Sequence, residues 1–324
     1  MRKHDYQDAE QYEPAEWRHT LSFLSCRNVT IEGLRLENSG GDGIYFGVSG
    51  AVRFLGTDRA SEAAKPYNEN IVIRDVIADG HHRQGMSVIS AIDMLVEDSV
   101  FKNTSGTAPA AGIDFEPNAP TDRLENIVVR NTVLDNNEGH GLLIYLNKMS
   151  RDTEPISIRV ENVHVKNSGT YGISIGALKD DGPTGTIEFV DCLIERTAKA
   201  GAYIYDKAAE RIDLRFINCT WRDVARGNVI SPRIRPERMA PYPITVHLPR
   251  PAFLAGTHYY GGVTFENCVI EDSRDRPAVR AYANSGDLVP SNIQGNIKVN
   301  NRFGVRYDVA EGATNIDLEL SASD

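Results

Sequence analysis

Two carboxylates in the middle of the chain, Asp114 and Glu116, have a spacing suited to acid–base chemistry. In an extended strand, residues two apart lie on the same face, with Cβ atoms roughly 6–7 Å apart. One such carboxylate can protonate a leaving oxygen while the other acts as nucleophile or as base for water, as in glycoside cleavage. Repulsion between the two charges raises the pKa of one group and helps it stay protonated near neutral pH. Since side-chain rotamers alter the spacing, the sequence does not choose between retention and inversion.

Other polar and aromatic residues occur at equivalent places near the carboxylates. Arg83 and His140 lie just before short strands that follow a glycine, as does Asp42. Tyrosines recur inside such strands and offer rings on which sugars can stack. We predict that Asp42 assists catalysis or binding. We also predict a set of substrate-binding residues, comprising His82, Arg83, His140, Tyr45, Tyr145 and Tyr205.

These residues are brought together by an internal repeat, which is marked by Asp or Asn followed, in most units, by a short apolar strand ten to fourteen residues later. The Asx positions are Asp75, Asp98, Asn131, Asn162, Asp191, Asn218 and Asn267. Repeats of this length indicate a chain that coils through one structural unit, each turn stacking on the last. We expect the Asx residues to line a bend, where short amide or carboxylate side chains satisfy turn backbone groups.

Apolar and polar residues alternate within each unit, which is the period of a strand. Units of 23–33 residues are too short for repeated βαβ elements with full helices. The sequence therefore predicts an all-β protein, a single-stranded right-handed parallel β-helix with loops walling a groove on one sheet. In this arrangement Ile113 and Phe115 point inward, so that Asp114 and Glu116 point outward into the groove.

The predicted organisation has three parts. Residues 1–20 form an N-terminal segment or the remnant of a cap, and we favour a chain that lacks rungs present in a longer parent. Residues 21–290 form the β-helix, with a long proline-rich excursion at 227–258, and residues 291–324 form C-terminal strands or a cap. Loops of variable length leave one edge of the sheet and are the usual seat of binding.

Composition excludes several classes of partner. The net charge of −10 argues against a phosphate-backbone partner, so no nucleic acid is expected. No stretch of 18 apolar residues is present to span a membrane, and no secretory signal is visible. The four cysteines include no close pair of the CxxC kind, and three of them occupy one repeat position, typical of small buried residues. We predict no metal and no cofactor.

At these residues the chain resembles the right-handed β-helix proteins of the pectin-lyase-like superfamily. The resemblance rests on the repeats and on the segments 39–44, 83–88 and 106–118. It implies a carbohydrate-active protein of the bacterial or phage-appendage type, secreted or periplasmic. Polygalacturonase-type hydrolases carry a Gly-His-Gly motif, which Gly139-His140-Gly141 echoes, but their paired Asp-Asp is absent here. Their catalytic residues are therefore not transferred, because a shared fold does not imply a shared function.

Three functions remain open from the sequence. The first is a glycoside hydrolase that acts on a polysaccharide or oligosaccharide through Asp114 and Glu116. The second is a polysaccharide lyase or uronan epimerase, in which a basic or phenolic group removes a proton. The third is a non-catalytic glycan-binding or structural coil of the tailspike kind. The chain is expected to be a monomer or a homo-oligomer such as a trimer.

Overall fold

The computed structural model describes residues 5, 8, 10–12, 16–50, 65–227, 241–254, 256–284 and 287–322. These residues form a coil of 27 short strands, numbered β1 to β27 in chain order, with one 3-10 turn at Pro251–Leu254. Each strand pairs in parallel with its equivalent in the next turn of the coil. The predicted parallel β-helix is confirmed.

One wall of the coil, called sheet 1, contains one strand from each turn. Its strands, in spatial order, are β1 (Leu21–Leu24), β4 (Ile44–Gly47), β7 (Met86–Val88), β10 (Ile113–Phe115), β13 (Leu142–Tyr145), β16 (Ile173–Leu178), β19 (Ala202–Lys207), β22 (Ile244–Leu248), β24 (Val279–Ala283) and β26 (Tyr307–Val309). We call each of these strands, with the turn of chain that carries it, a rung.

The remaining strands form sheet 2. They stack in two columns, and the sheet bends between one column and the other. The first column contains β2 (Arg27–Glu32), β5 (Asn68–Arg74), β8 (Ala91–Glu97), β11 (Leu124–Arg130), β14 (Ile156–Glu161), β17 (Gly185–Val190), β20 (Ile212–Ile217), β23 (Tyr259–Glu271), β25 (Val289–Asn300) and β27 (Thr314–Ala322). The second contains β3 (Arg35–Glu37), β6 (Ile77–Asp79), β9 (Val100–Lys102), β12 (Val133–Asp135), β15 (His164–Lys166), β18 (Leu193–Glu195) and β21 (Thr220–Arg222).

The Asx residues of the repeat form the bend between the two columns of sheet 2. All seven have left-handed backbone conformations, with φ between 50° and 54° for six of them and 49° for Asn131. Asp and Asn tolerate this conformation better than other residues with a side chain. The side chains also form a ladder, in which Asn162 Nδ2 donates to Asn131 Oδ1 at 2.9 Å. The expectation of an Asx-lined bend is confirmed.

Replacing Asn162 with Ala is expected to destabilise the fold more than replacing it with Gly. Both changes remove the bond to Asn131, but Ala also meets the steric cost of the left-handed conformation, about 1–2 kcal/mol, which Gly avoids. Denaturant unfolding of the two variants measures the difference. Equal losses of stability would show that the dihedral angle does not control this position.

The interior of the coil is apolar and continuous. Ile44, Phe46, Ile113 and Phe115 are completely buried within it, as their alternation predicted. The column that follows the Asx residues is buried as well and includes the free thiols of three cysteines, Cys192, Cys219 and Cys268. Because the flanking residues of β10 face this interior, the Asp114 side chain lies on the outer face of sheet 1.

The segment 227–258 differs from the expected excursion. Residues 228–240 and 255 of that segment lie outside the described residues, while residues 244–248 form β22, the sheet 1 strand of the turn that follows Asn218. Ile244, Val246 and Leu248 are buried in strand alternation. The strand follows Pro243 instead of a glycine and has prolines on both sides, so it does not match the glycine-led pattern from which the other strands of sheet 1 were predicted.

Candidate active site

Consecutive rungs of sheet 1 bring the predicted carboxylates and Arg83 together. Asp42 lies just before β4, Arg83 just before β7, and Asp114 in the middle of β10. In the parallel register, Tyr45 pairs with Ser87, and Ser87 pairs with Asp114. Residues that are distant along the chain therefore share one outer strip.

Arg83 is the centre of this cluster. Its Nη1 lies 3.3 Å from Asp42 Oδ2, its Nη2 lies 3.5 Å from Glu116 Oε2, and its Nε lies 3.4 Å from Glu16 Oε2. The side chain is only 13% exposed. Burial alone would lower the pKa of the guanidinium, but the surrounding carboxylates outweigh it, and the pKa is raised. Arg83 therefore holds three carboxylates around one permanent cation.

Asp114 lies on the outer face of the sheet, as expected, but it is completely covered instead of open to the groove. Its Oδ2 accepts a hydrogen bond of 3.0 Å from Gln84 Nε2. Gln84 is fixed in turn, because its Oε1 accepts from the Ala111 N–H at 2.7 Å. Oδ1 of Asp114 receives no hydrogen bond within the part of the chain that the structure describes.

The pKa of Asp114 is raised well above its ordinary value. Burial is the main cause, followed by the charge of Glu116, with a further contribution from the charge of Asp42. Arg83 opposes these effects without cancelling them. The Asp114 carboxyl therefore ionises less readily than an ordinary aspartate.

Glu116 opens the cluster to solvent. Its side chain is 31% exposed and lines a cleft of about 370 Å³. The walls of the cleft are Glu16, Trp17, His19, Tyr45, Arg83, Ile89, Glu116 and Asn118. It combines charged groups with aromatic surface, because Trp17 is 72% exposed and Tyr45 lies nearby. Such a mixture suits a ligand that has both hydroxyl groups and apolar ring faces.

The sequence reasoning missed the wall formed by Glu16, Trp17 and His19. These residues precede the first strand and have no repeat periodicity that would place them. They are positioned by Gly41, where a Cβ atom would come within 2.6 Å of the Glu16 carbonyl oxygen. A glycine pair before Asp42 was the only available signal that another backbone passes close by.

His82 lies outside the cleft. Its Nε2 is 3.2 Å from the hydroxyl of Thr107, and its carbonyl oxygen accepts from the Thr107 N–H at 2.8 Å. The inserted segment 105–109 therefore packs on the turn that contains His82 and does not line the cleft.

His140 is also separate from the carboxylates. Its Nδ1 is 2.9 Å from the Thr170 hydroxyl, and its ring stacks on Tyr171 with centroids 5.6 Å apart. Burial, together with the charge of Lys199, lowers the pKa of His140 to about 3. At neutral pH it is an uncharged member of an aromatic cluster on the next rungs.

Tyr145 and Tyr205 belong to a second cluster around Arg250. The guanidinium of Arg250 lies 6.0 Å from the Tyr145 ring centroid and 5.9 Å from that of Tyr205, and its Nε is 2.6 Å from Asp206 Oδ2. Tyr205 further stacks on Tyr203 at 4.9 Å. Because stacked rings cover one another's faces, Tyr205 offers its edge and hydroxyl group to a ligand more readily than the ring face that packs on Tyr203.

No cluster of three or more His, Cys, Asp or Glu side chains is arranged to hold a metal ion among the residues that the structure describes. Among the same residues, no helix has the length and apolar character needed to cross a bilayer.

Comparison with known proteins agrees with this architecture. The model of the right handed beta helix region matches residues 17–175, which include the rungs that form the cleft. The A-module of the mannuronan C-5 epimerase AlgE6 of Azotobacter vinelandii has a TM-score of 0.61 with 16% identity, over 92% of this chain. The chain spans 65% of the length of that module.

More distant likenesses are too weak to support an argument. The catalytic unit of the GH87 alpha-1,3-glucanase of Streptomyces thermodiastaticus has a TM-score of 0.43 with 14% identity, over 89% of this chain and 50% of the glucanase. No curated protein sequence matches the chain. Identities this low describe the fold alone. The fold is that of the right-handed parallel β-helix proteins.

Proposed function

We propose that the chain is a carbohydrate-active enzyme, most directly a glycoside hydrolase that cleaves a polysaccharide or oligosaccharide. The observation that carries the proposal is the buried carboxyl of Asp114, whose pKa is raised, two residues from Glu116, which lines a cleft with aromatic walls. Glycoside cleavage needs a carboxylic acid that remains protonated at working pH and can reach the leaving oxygen. The raised pKa of Asp114 supports the first requirement, and the position of Glu116 in the cleft supports the second.

We assign both carboxyls to a single proton donor, because the charge of Glu116 contributes to the raised pKa of Asp114 and Glu116 lines the cleft that a substrate would enter. Asp114 stores the proton, Glu116 presents it to the cleft, and Arg83 limits the build-up of negative charge as the proton leaves.

A lyase or epimerase is the second candidate, because Arg83 places a cation in the cleft that could neutralise a uronate carboxylate. The surrounding charges count against it. Three carboxylates already lie within 3.5 Å of Arg83, so the cleft has little positive charge left for an acidic sugar. A neutral sugar needs no such charge, which favours hydrolysis.

The test is a screen of neutral and acidic glycans with the wild-type protein and Glu116→Gln. We expect reducing ends to be released by the wild type and the rate to fall about 100- to 10,000-fold in the variant, since a positioned general acid contributes that much. Glu161→Gln is the matched control, because Glu161 lies on sheet 2 with a partly exposed side chain.

The products distinguish the alternatives. An unsaturated uronate, detected by its ultraviolet absorbance, would establish a lyase, and a change of sugar configuration detected by NMR would establish an epimerase. Binding to a glycan array without turnover would establish a non-catalytic coil. Undiminished activity in Glu116→Gln would remove the carboxyl pair from the mechanism.

A further inference from the structure

The carboxylates around Arg83 outnumber the cations that could balance them. Of the described residues that line the cleft, Arg83 alone has a cationic side chain. It faces the carboxylates of Glu16 and Glu116 in the cleft and that of Asp42 behind it. His19 adds no charge, because the Asp42 N–H donates to its Nδ1 at 3.1 Å, and a ring nitrogen that accepts a hydrogen bond carries no proton. One guanidinium against three carboxylates leaves the cleft negatively charged.

Arg83 binds these carboxylates loosely. Its three contacts, of 3.3 Å, 3.4 Å and 3.5 Å, exceed the roughly 2.7–2.9 Å that is usual between a charged N–H and a carboxylate. The chain forms shorter pairs elsewhere, since Arg250 Nε lies 2.6 Å from Asp206 Oδ2. The carboxylates of Glu16 and Glu116 can therefore accept a closer donor from a ligand.

Two buried oxygen atoms behind the cleft lack a donor. Oδ1 of Asp42 and Oδ1 of Asp114 are buried and receive no hydrogen bond from any residue that the structure describes. Both side chains are completely covered. A buried acceptor without a donor costs free energy, so each such atom requires an explanation. The shortage of donors is a separate observation from the surplus of negative charge, and both describe a site that lacks positively charged donors.

The open wall of the cleft presents an aromatic face beside two acceptors. Trp17 and Glu16 are exposed, and Glu116 is partly exposed. An indole face packs against the apolar face of a sugar ring and also attracts a nearby cation. The ring of Tyr45, by contrast, has one face covered by His19, with centroids 4.4 Å apart. An occupant that combines a sugar ring with a positive charge matches this wall.

We propose that the cleft binds a sugar with a free, protonated amine, such as a residue of a hexosamine polymer that carries no N-acetyl groups. The ammonium group contacts Glu16 and Glu116, and the sugar ring lies on Trp17. The inference rests on the proposed function for the cleavage step, and it narrows the substrate of that step to cationic sugars. A metal ion fits less well, because no cluster of His, Cys, Asp and Glu side chains among the described residues is arranged to hold one.

Binding of monosaccharides tests the inference without turnover, because a monosaccharide has no glycosidic bond to cleave. Glucosamine and galactosamine are compared with glucose and galactose at about pH 6, where a sugar amine is protonated. We expect the amino sugars to bind about 10- to 100-fold more tightly, as for a hydrogen bond to a charged group. They should also shift the indole N–H signal of Trp17 in the nitrogen-15 spectrum. The only other tryptophan, Trp221, is buried in the interior and serves as an internal reference.

Glu16→Gln is expected to reduce the preference for glucosamine over glucose about tenfold, because it removes the charge of the side chain but keeps its shape. Glu69→Gln is the matched control, since Glu69 belongs to β5 on sheet 2 and its Oε2 lies 3.2 Å from Arg27 Nε. It should retain the full preference. Raising the pH to about 9, where the sugar amine is neutral, should abolish the preference in the wild type.

Cleavage is measured separately, with oligosaccharides of glucosamine, N-acetylglucosamine and glucose that share one linkage. If neutral oligosaccharides are cleaved but amino sugars bind no more tightly than neutral ones, the proposed function stands and this inference is wrong. If glucosamine binds with the expected charge dependence but no glycan is cleaved, the proposed function fails and the assignment of the cleft to an amino sugar stands. Equal binding of ethylamine and glucosamine would show attraction of charge without recognition of a sugar. Displacement of glucosamine by calcium would assign the carboxylates to a metal ion, and either of these results would overturn the inference.

Discussion

Asp114→Asn is expected to reduce turnover about 100- to 10,000-fold while leaving the fold at least as stable as the wild type above pH 7. Asn has the same shape, can accept the hydrogen bond from Gln84, and can donate its amide to Glu116, but it cannot transfer a proton. The stability gain follows from the raised pKa of Asp114. Its contribution to stability is fully present below the unfolded pKa, near 3.8, and is lost as pH rises towards the folded pKa.

Thermal unfolding from pH 4 to pH 9 checks the sign of this effect. The melting temperature of Asp114→Asn, relative to that of the wild type, should increase with pH. The wild type loses stability as pH rises because its buried carboxyl is harder to ionise in the folded state than in the unfolded state, whereas asparagine does not ionise. Asp213→Asn serves as the control, since Asp213 is a partly exposed residue paired with Arg215 on sheet 2. A difference between Asp114→Asn and wild type that does not vary with pH would contradict the proton assignment.

Arg83→Met is expected to cost about 3–5 kcal/mol of unfolding free energy and to abolish activity. The substitution leaves the completely buried Asp42 without its ion pair, and breaking a buried pair by removing one partner has an effect of that size. It also removes the cation that lies 3.5 Å from Glu116. Denaturant unfolding and the glycan assay measure the two losses.

Two further variants isolate the cause. Arg215→Met removes a surface pair whose partners are 42% and 44% exposed, so screening by solvent limits its cost to about 1 kcal/mol or less. Adding Asp42→Asn to Arg83→Met should recover part of the lost stability, because the stranded charge is removed. A loss in Arg83→Met no greater than that in Arg215→Met would mean that the carboxylates are solvated without the arginine.

The fold could be predicted because its determinants are local and repeated. The Asx residues occupy a left-handed bend that few residue types tolerate, and the alternation in strands such as Ile113–Phe115 fixes which face is inside. The Asx residue and the alternation both recur in successive rungs, so one ambiguous repeat unit does not change the predicted fold. The strand Ile244–Leu248 was missed because its rung lacks the usual glycine and is interrupted by prolines.

The candidate site was only partly predictable. The predicted register placed Asp42, Arg83, Asp114 and Glu116 on one strip of sheet 1. The strand period fixes the face on which a side chain lies, and the repeat fixes the rung. Burial was not predictable, since Gln84 and Arg83 cover Asp114 from the neighbouring turn. His140, Tyr145 and Tyr205 lie on the expected outer face but contact residues outside the carboxylate cluster. Their long side chains reach neighbours that the backbone register does not specify.

The cleft depends on only four of the ten rungs of sheet 1, those of β1, β4, β7 and β10. The backbone of each rung pairs only with that of its immediate neighbours in sheet 1, so changes to the later rungs are transmitted weakly to the earlier ones. The ends of the coil are therefore free to evolve separately. Later rungs can therefore be lengthened or exchanged with little effect on the positions of Arg83, Asp114 and Glu116.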